Sequence, residues 1–169
     1  MILKEILKRK SVRSYLDKDV GKTALNEVLE AGRLAPSACN IQPWKFIVVR
    51  DIEKREKISE ACKGQSFIST APVIIVACLV SKGFEMGDWY DSGILDVGIA
   101  LDHMTLQAVH LGLGTCWIGA FEEQPVKQIL GIPETVRVVA LLTLGYPRND
   151  TFSQKDRKKL SEILSNEHF

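Results

Sequence analysis

The sequence predicts an α+β fold. Three observations carry that expectation. Helical and strand patterns are mixed along the chain without strict alternation, which disfavours a doubly wound parallel sheet. Residues 73–80 and 136–144 are apolar on both faces, as strands covered from two sides are. Residues 91–111 carry a long helical stripe of Ile94, Val97, Gly98, Leu101, Met104, Ala108 and Leu111. The 169 residues are 46% hydrophobic, enough for one domain over 1–169 with a sizeable core.

The elements follow in order. Residues 2–9 put Ile2, Leu3, Ile6 and Leu7 on one helical face, with Lys8, Arg9 and Lys10 at the negative end of the dipole. The polar stretch 11–19 reads as extended. A second helix spans 21–34, with Leu25, Val28, Leu29 and Gly32 in a stripe and Pro36 as the stop. Residues 35–44 form a loop broken by Pro36, Asn40 and Pro43, and 45–50 a strand. Asp51 can cap a helix through Cys62. Residues 81–90 read as a loop with Gly83 and Gly87. After the long helix, Gly112 suits a C-terminal cap, 115–118 a short extended segment, and 122–130 a helix stopped by Gly131 and Pro133. Residues 154–164 read as a final helix or turn.

Composition bounds the function. The net charge of +1 gives no global drive toward nucleic acid or anionic membrane, so any basic site must be local. No secretion signal is visible, and the apolar run 72–80 is too short to span a bilayer as a helix. Cys39, Cys62, Cys78 and Cys116 are scattered, without a C-x-x-C pair. His103, His110 and His168 stand apart from acids and thiols, so no metal site is expected. A soluble cytoplasmic protein with reduced thiols is the expectation.

Four segments could carry chemistry. Arg9, Lys10, Ser11 and Arg13 suit a phosphate monoester, since guanidinium groups grip phosphate in a fork and a hydroxyl can donate to an oxygen. Residues 35–44 set two side-chain amides beside Trp44, a composition fit for a planar heterocycle with polar edges. Residues 112–119 are glycine-rich, but Trp117 stands where a dinucleotide fingerprint needs its third glycine. Lys155 and Arg157 can reach one anion from an irregular segment. Taken singly, each also fits a plain structural role: a solvated helix end, a helix-to-strand connection, a helix stop and a solvated face.

Together and in this order, R-K-S-V-R-S-Y at 9–15, A-P-S-A-C-N-I-Q-P-W at 35–44, G-L-G-T-C-W-I-G at 112–119, G-Y-P at 145–147 and K-x-R at 155–157 resemble the nitroreductase family of flavoproteins. The resemblance covers nearly the whole chain. It implies a central mixed sheet flanked by helices and an intertwined homodimer with FMN at the subunit interface. Arg9, Lys10, Ser11 and Arg13 match positions near the phosphate, ribityl chain and pyrimidine edge, and Lys155 and Arg157 the second half of a phosphate clamp. Pro36, Ser37, Ala38, Asn40 and Gln42 match a loop donated by the other subunit. Trp117, Ile118 and Gly119 match the stretch beside the isoalloxazine ring, and Gln65 its polar edge. The implied activity is hydride transfer from NADH or NADPH through bound FMN to nitroaromatics, quinones or flavins, by a ping-pong mechanism. The flavin carries the chemistry, so no catalytic residue is expected beyond an electrostatic role for Arg13. The connection at 81–90 is shorter than the insertion in larger relatives, leaving a pocket that is open or lined by Phe84, Trp89 and Tyr90. A dehalogenase-like or flavin-fragmenting enzyme, and a non-catalytic FMN-binding protein, are the alternatives.

Overall fold

In a computed structural model that describes residues 1–149 and 155–169, two strands apolar on both faces occupy the middle of a four-stranded sheet. β2 (Val73–Leu79) and β6 (Arg137–Gly145) are central, with β1 (Trp44–Val49) and β5 (Gly114–Ile118) at the edges, in the order β1-β2-β6-β5. Side-chain alternation splits β2 between two cores. Val73, Ile75 and Ala77 face one side with Ala140, Leu142 and Leu144 of β6, under α2 (Lys22–Arg33) and α5 (Gly93–His110). Ile74, Val76 and Cys78 face the other, under α3 (Ile52–Ala61) and α6 (Glu123–Leu130). Burying both faces is why these strands lack polar alternation.

All four strands pair antiparallel. The parallel component of the expected mixed sheet is one bridge, Ser11 to Thr115, at the outer edge of β5. That bridge and the 2.8 Å bond from Val12 N to Thr115 O fix the extended segment after α1 (Lys4–Lys8). The approach requires glycine: a Cβ at Gly114 would lie 2.5 Å from Val12 Cγ2. Tyr15 completes the attachment. Its buried hydroxyl donates to Val12 O at 2.7 Å and shares a 2.6 Å bond with Thr143 Oγ1. Burial pushes its phenol well above the ordinary range. Tyr15→Phe strands the Val12 carbonyl and is expected to cost about 1–3 kcal/mol. A lower denaturation midpoint of the apoprotein at unchanged slope would show it.

Asp51 caps α3 as expected, accepting from Lys54 N at 2.9 Å. Several local readings change. A one-turn helix, α4 (Phe67–Thr70), follows α3. The 81–90 connection holds a two-stranded hairpin, β3 (Glu85–Met86) and β4 (Tyr90–Asp91). The C-terminal helix or turn reduces to a 3-10 turn at Leu160–Glu162, and Gln154 lies outside the described residues. The apolar face of α1 is not buried: Ile6 and Leu7 are exposed. Among the described residues, no helix is long and apolar enough to cross a membrane.

Candidate functional site

α1 ends at Lys8, and Arg9 N closes its last turn on Glu5 O at 2.8 Å. The chain then runs extended onto β5. From the far end of the sequence, Lys155 Nζ donates to Ile6 O of the same helix. Lys155 loses proton affinity, first through burial and then through the charges of Arg9 and Arg157. Arg9 and Arg157 thus both lie within electrostatic reach of Lys155, the third cation predicted to grip one phosphate. Among the described residues, none of them forms an ion pair with a carboxylate. Convergent cations without counter-charge are unfavourable unless an anion joins them.

Lys10 is placed differently. Its ammonium donates to Asn149 O at 3.3 Å, and it lines a small cavity with Lys8, Val12, Val109 and Leu113. It is not among the charges that act on Lys155. Ser11 and Arg13 gather at Cys116. Burial pushes the Cys116 thiol up, against the opposing pull of the Arg13 guanidinium and the Ser11 side chain. That thiol is 2% exposed and suits packing more than nucleophilic attack.

Beside them, β5 carries exposed Trp117 and buried Ile118, and exposed Gly119 follows the strand. Trp117 lies over α5 at Gly98, where a Cβ would meet its indole at 4.0 Å. Gln65 reaches the same run, its side-chain amide donating to Cys62 O at 3.0 Å and Ala120 O at 3.4 Å. The structure therefore brings together Arg9, Lys155 and Arg157, then Ser11 and Arg13 at Cys116, and Gln65 beside 117–120.

The loop at 35–42 is a separate build. Cys39, Asn40 and Gln42 adopt left-handed backbone, with φ of 50°, 55° and 52°. Such conformations persist where surrounding bonds over-determine them. Ser37 supplies two of those bonds, its Oγ accepting from Gln42 N at 2.9 Å and its carbonyl from Asn40 N at 3.0 Å. The Gln42 amide donates to Asn40 O at 3.1 Å. Pro36 is exposed and Ala38 half-buried. Ala38 N donates to Asp96 Oδ1 at 3.1 Å, and Asp96 is 2% exposed. Sequence reading missed Asp96, although an acid inside an apolar helical stripe, four residues after Ser92, was a visible signal.

Loop and cations are held at opposite ends of α5. The loop hangs from Asp96, whereas α1 meets α5 at His110, whose Nδ1 lies 3.0 Å from Glu5 Oε1. Fourteen residues separate the two anchors (110 − 96), about 21 Å along a helix. The buried side of α5 faces the sheet, yet Ile94 and Leu95 are 65% and 47% exposed. A groove of about 1010 Å³ lined by Leu29, Phe46 and Val48 touches none of these residues. Among the described residues, no group of three or more His, Cys, Asp or Glu side chains could hold a metal ion.

The family model of the nitroreductase family matches residues 6–68 and 63–146. A protein of Archaeoglobus fulgidus with the provisional name NADH dehydrogenase/NAD(P)H nitroreductase is 37% identical over 161 residues, covering 92% of this chain and 91% of its own. The FMN reductase [NAD(P)H] of Bacillus subtilis is 34% identical over 173 residues, covering 92% of this chain and 69% of its own. The structure of an FMN-dependent nitroreductase from Clostridium difficile, 31% identical, superposes with a TM-score of 0.84 over 99% of this chain and 100% of that one.

Proposed function

The chain belongs to the nitroreductase family, and from that premise we propose that it is an FMN-dependent NAD(P)H oxidoreductase whose site forms between two copies of the chain. When bound, FMN would supply the two-electron chemistry for ping-pong hydride transfer from NADH or NADPH to a nitroaromatic, quinone or flavin. The observation that carries this reading is the bond from Lys155 Nζ to Ile6 O, which brings the C-terminal cations to the end of α1 beside Arg9, with no carboxylate paired to Arg9, Lys155 or Arg157 among the described residues. A phosphate monoester is the anion such a cluster fits.

The chain's own residues do the rest. Arg9, Lys155 and Arg157 neutralise the phosphate. Ser11 and Arg13 sit further along the same strand-like segment, where Arg13 would offset negative charge on a bound flavin. Lys10 contributes from the side of its cavity rather than inside the cluster. Trp117, Ile118 and Gly119 border the ring, and Gln65 holds that border by its bond to Ala120. Pro36, Ser37, Ala38, Asn40 and Gln42 reach the site of the second copy. The separation of about 21 Å along α5 and the exposed Ile94 and Leu95 support that pairing. We read residues 1–169 as one domain, because β2 and β6 are shared by both cores. Four free thiols suit a reducing compartment such as the cytoplasm.

The lowered Lys155 gives a pH dependence with a definite sign. Its folded-state pKa lies below 10.5, and only the protonated form attracts phosphate. FMN affinity should therefore fall as pH rises through that lowered pKa, before the ordinary lysine range is reached. Fluorescence titrations of FMN against pH check this, and Lys155→Arg should hold affinity flat to higher pH.

The experiment for the activity is anaerobic mixing of the FMN-loaded protein with NADH and with NADPH, followed by a quinone. Loss of flavin colour with either donor, restored by the quinone, is the expected result. Flavin that neither donor reduces would leave a non-catalytic FMN-binding protein.

A further inference from the structure

Asp96 and Ser92 connect two segments that the sequence holds far apart. Asp96 Oδ1 accepts Ala38 N of the left-handed loop, and Oδ2 accepts the Ser92 hydroxyl at 2.8 Å. Ser92 Oγ accepts Phe84 N at 2.9 Å, at the start of the β3–β4 hairpin. Both side chains are buried, at 2% and 0% exposed. Neither is spent on the first turn of α5: Ser92 stands at the cap position yet makes no side-chain capping bond. Asp96 gains from the positive end of the α5 dipole, but its side-chain hydrogen bonds run to the loop and to Ser92.

The hairpin end of this chain of bonds is aromatic and poorly supported by the core. Phe84 and Trp89 are 49% and 79% exposed, and the Trp89 and Tyr90 rings meet at 4.5 Å. Asp91 clasps the hairpin base through Gly83 N and Gly93 N, at 2.9 Å and 2.8 Å. The relay through Ser92 then ties that clasped unit to the loop.

We propose that Asp96 is a positioning residue that locks the 35–42 loop and the β3–β4 hairpin into one unit, with Ser92 as the branch that transmits the setting to the hairpin. The inference rests on the FMN reading above, in which the loop serves the cofactor, and adds that the hairpin aromatics meet the electron acceptor. Asp96 acts on the loop directly and on the hairpin only through Ser92. Substitutions at Asp96 and at Ser92 should therefore separate cofactor binding from acceptor binding.

The test uses the full-length protein and three variants, Asp96→Ala, Asp96→Asn and Ser92→Ala. Each is measured for apoprotein melting temperature, FMN dissociation constant, and kcat and KM with 1,4-benzoquinone. Asp96→Ala removes the shared acceptor of two donors and should weaken FMN at least about tenfold. Asp96→Asn keeps an oxygen for Ala38 N and should recover FMN binding to within about threefold of wild type. Ser92→Ala spares the Ala38 bond and should leave FMN binding within about twofold, while raising the quinone KM more than about threefold with kcat little changed. A merely structural role would shift FMN binding in step with melting temperature in all three. That correlation, an unchanged quinone KM in Ser92→Ala, or an Asp96→Asn as weak as Asp96→Ala overturns the proposal. If Asp96→Ala does not fold, the Asp96→Asn and Ser92→Ala pair decides by the same split. Wild type that binds no FMN overturns the cofactor reading itself; wild type that binds it, with variants that do not split, overturns the positioning role alone.

Discussion

The double variant Arg9→Ala/Lys155→Ala should lose FMN by about 10²–10⁴-fold and leave riboflavin binding nearly unchanged. Hydrogen bonds to a charged partner contribute about 1.5–3 kcal/mol each, and two are removed, so about 3–6 kcal/mol of phosphate binding disappears. Riboflavin lacks the phosphate and should not register the change. The apoprotein should not be destabilised in proportion. Arg9 and Lys155 carry like charge, and after burial the Arg9 charge is the next cause that lowers Lys155. Removing them relieves that repulsion, although the Lys155 bond to Ile6 O goes too. Paired fluorescence titrations with FMN and riboflavin, with melting curves in the absence of ligand, check each part. Equal losses for both ligands would place these cations in the scaffold rather than in a phosphate clamp.

Leu95→Lys should produce a monomer that no longer holds FMN. Leu95 lies on the outer side of α5, beside Ile94, and is 47% exposed although the opposite side of the helix is fully buried. A second copy packed there would cover both residues. It would also carry its 35–42 loop toward the cations that α5 holds at its other end. A lysine in that apolar contact, repeated by symmetry, sets like charge against like charge without water. Light scattering should report half the wild-type mass, and the protein should be colourless. Because the site needs both copies, loss of the dimer and loss of flavin should follow together across a series of substitutions at Ile94 and Leu95. A monomer that keeps FMN would refute the shared site.

The strands and long helices were legible because their information is local. Residues 73–80 and 136–144 announced burial on both faces, and the two cores around β2 and β6 explain why. Asp51 as a cap was equally local. What escaped depends on contacts between distant positions. The Tyr15–Thr143 bond joins residues 128 apart, Ala38–Asp96 spans 58, and Lys155–Ile6 spans 149. No periodicity encodes such pairs. Helix α1 shows the converse: the stripe of Ile2, Leu3, Ile6 and Leu7 was read as one helical face, yet Ile2 and Leu3 precede the helix and one copy of the chain leaves all four exposed. The cation cluster was readable only as two halves at 9–13 and 155–157, and the fold supplies their meeting. Lys10 resists the same treatment, because neighbours on an extended segment point to opposite sides. Its cavity with Lys8 and Val12 is the consequence.

The flavin content of the purified protein, after incubation with FMN and removal of the excess, decides whether the chain is a flavoprotein. A yellow dimer carrying one FMN per chain, released intact on denaturation, with a higher melting temperature than the apoprotein, is the expected result. A colourless protein that takes up no FMN would contradict it.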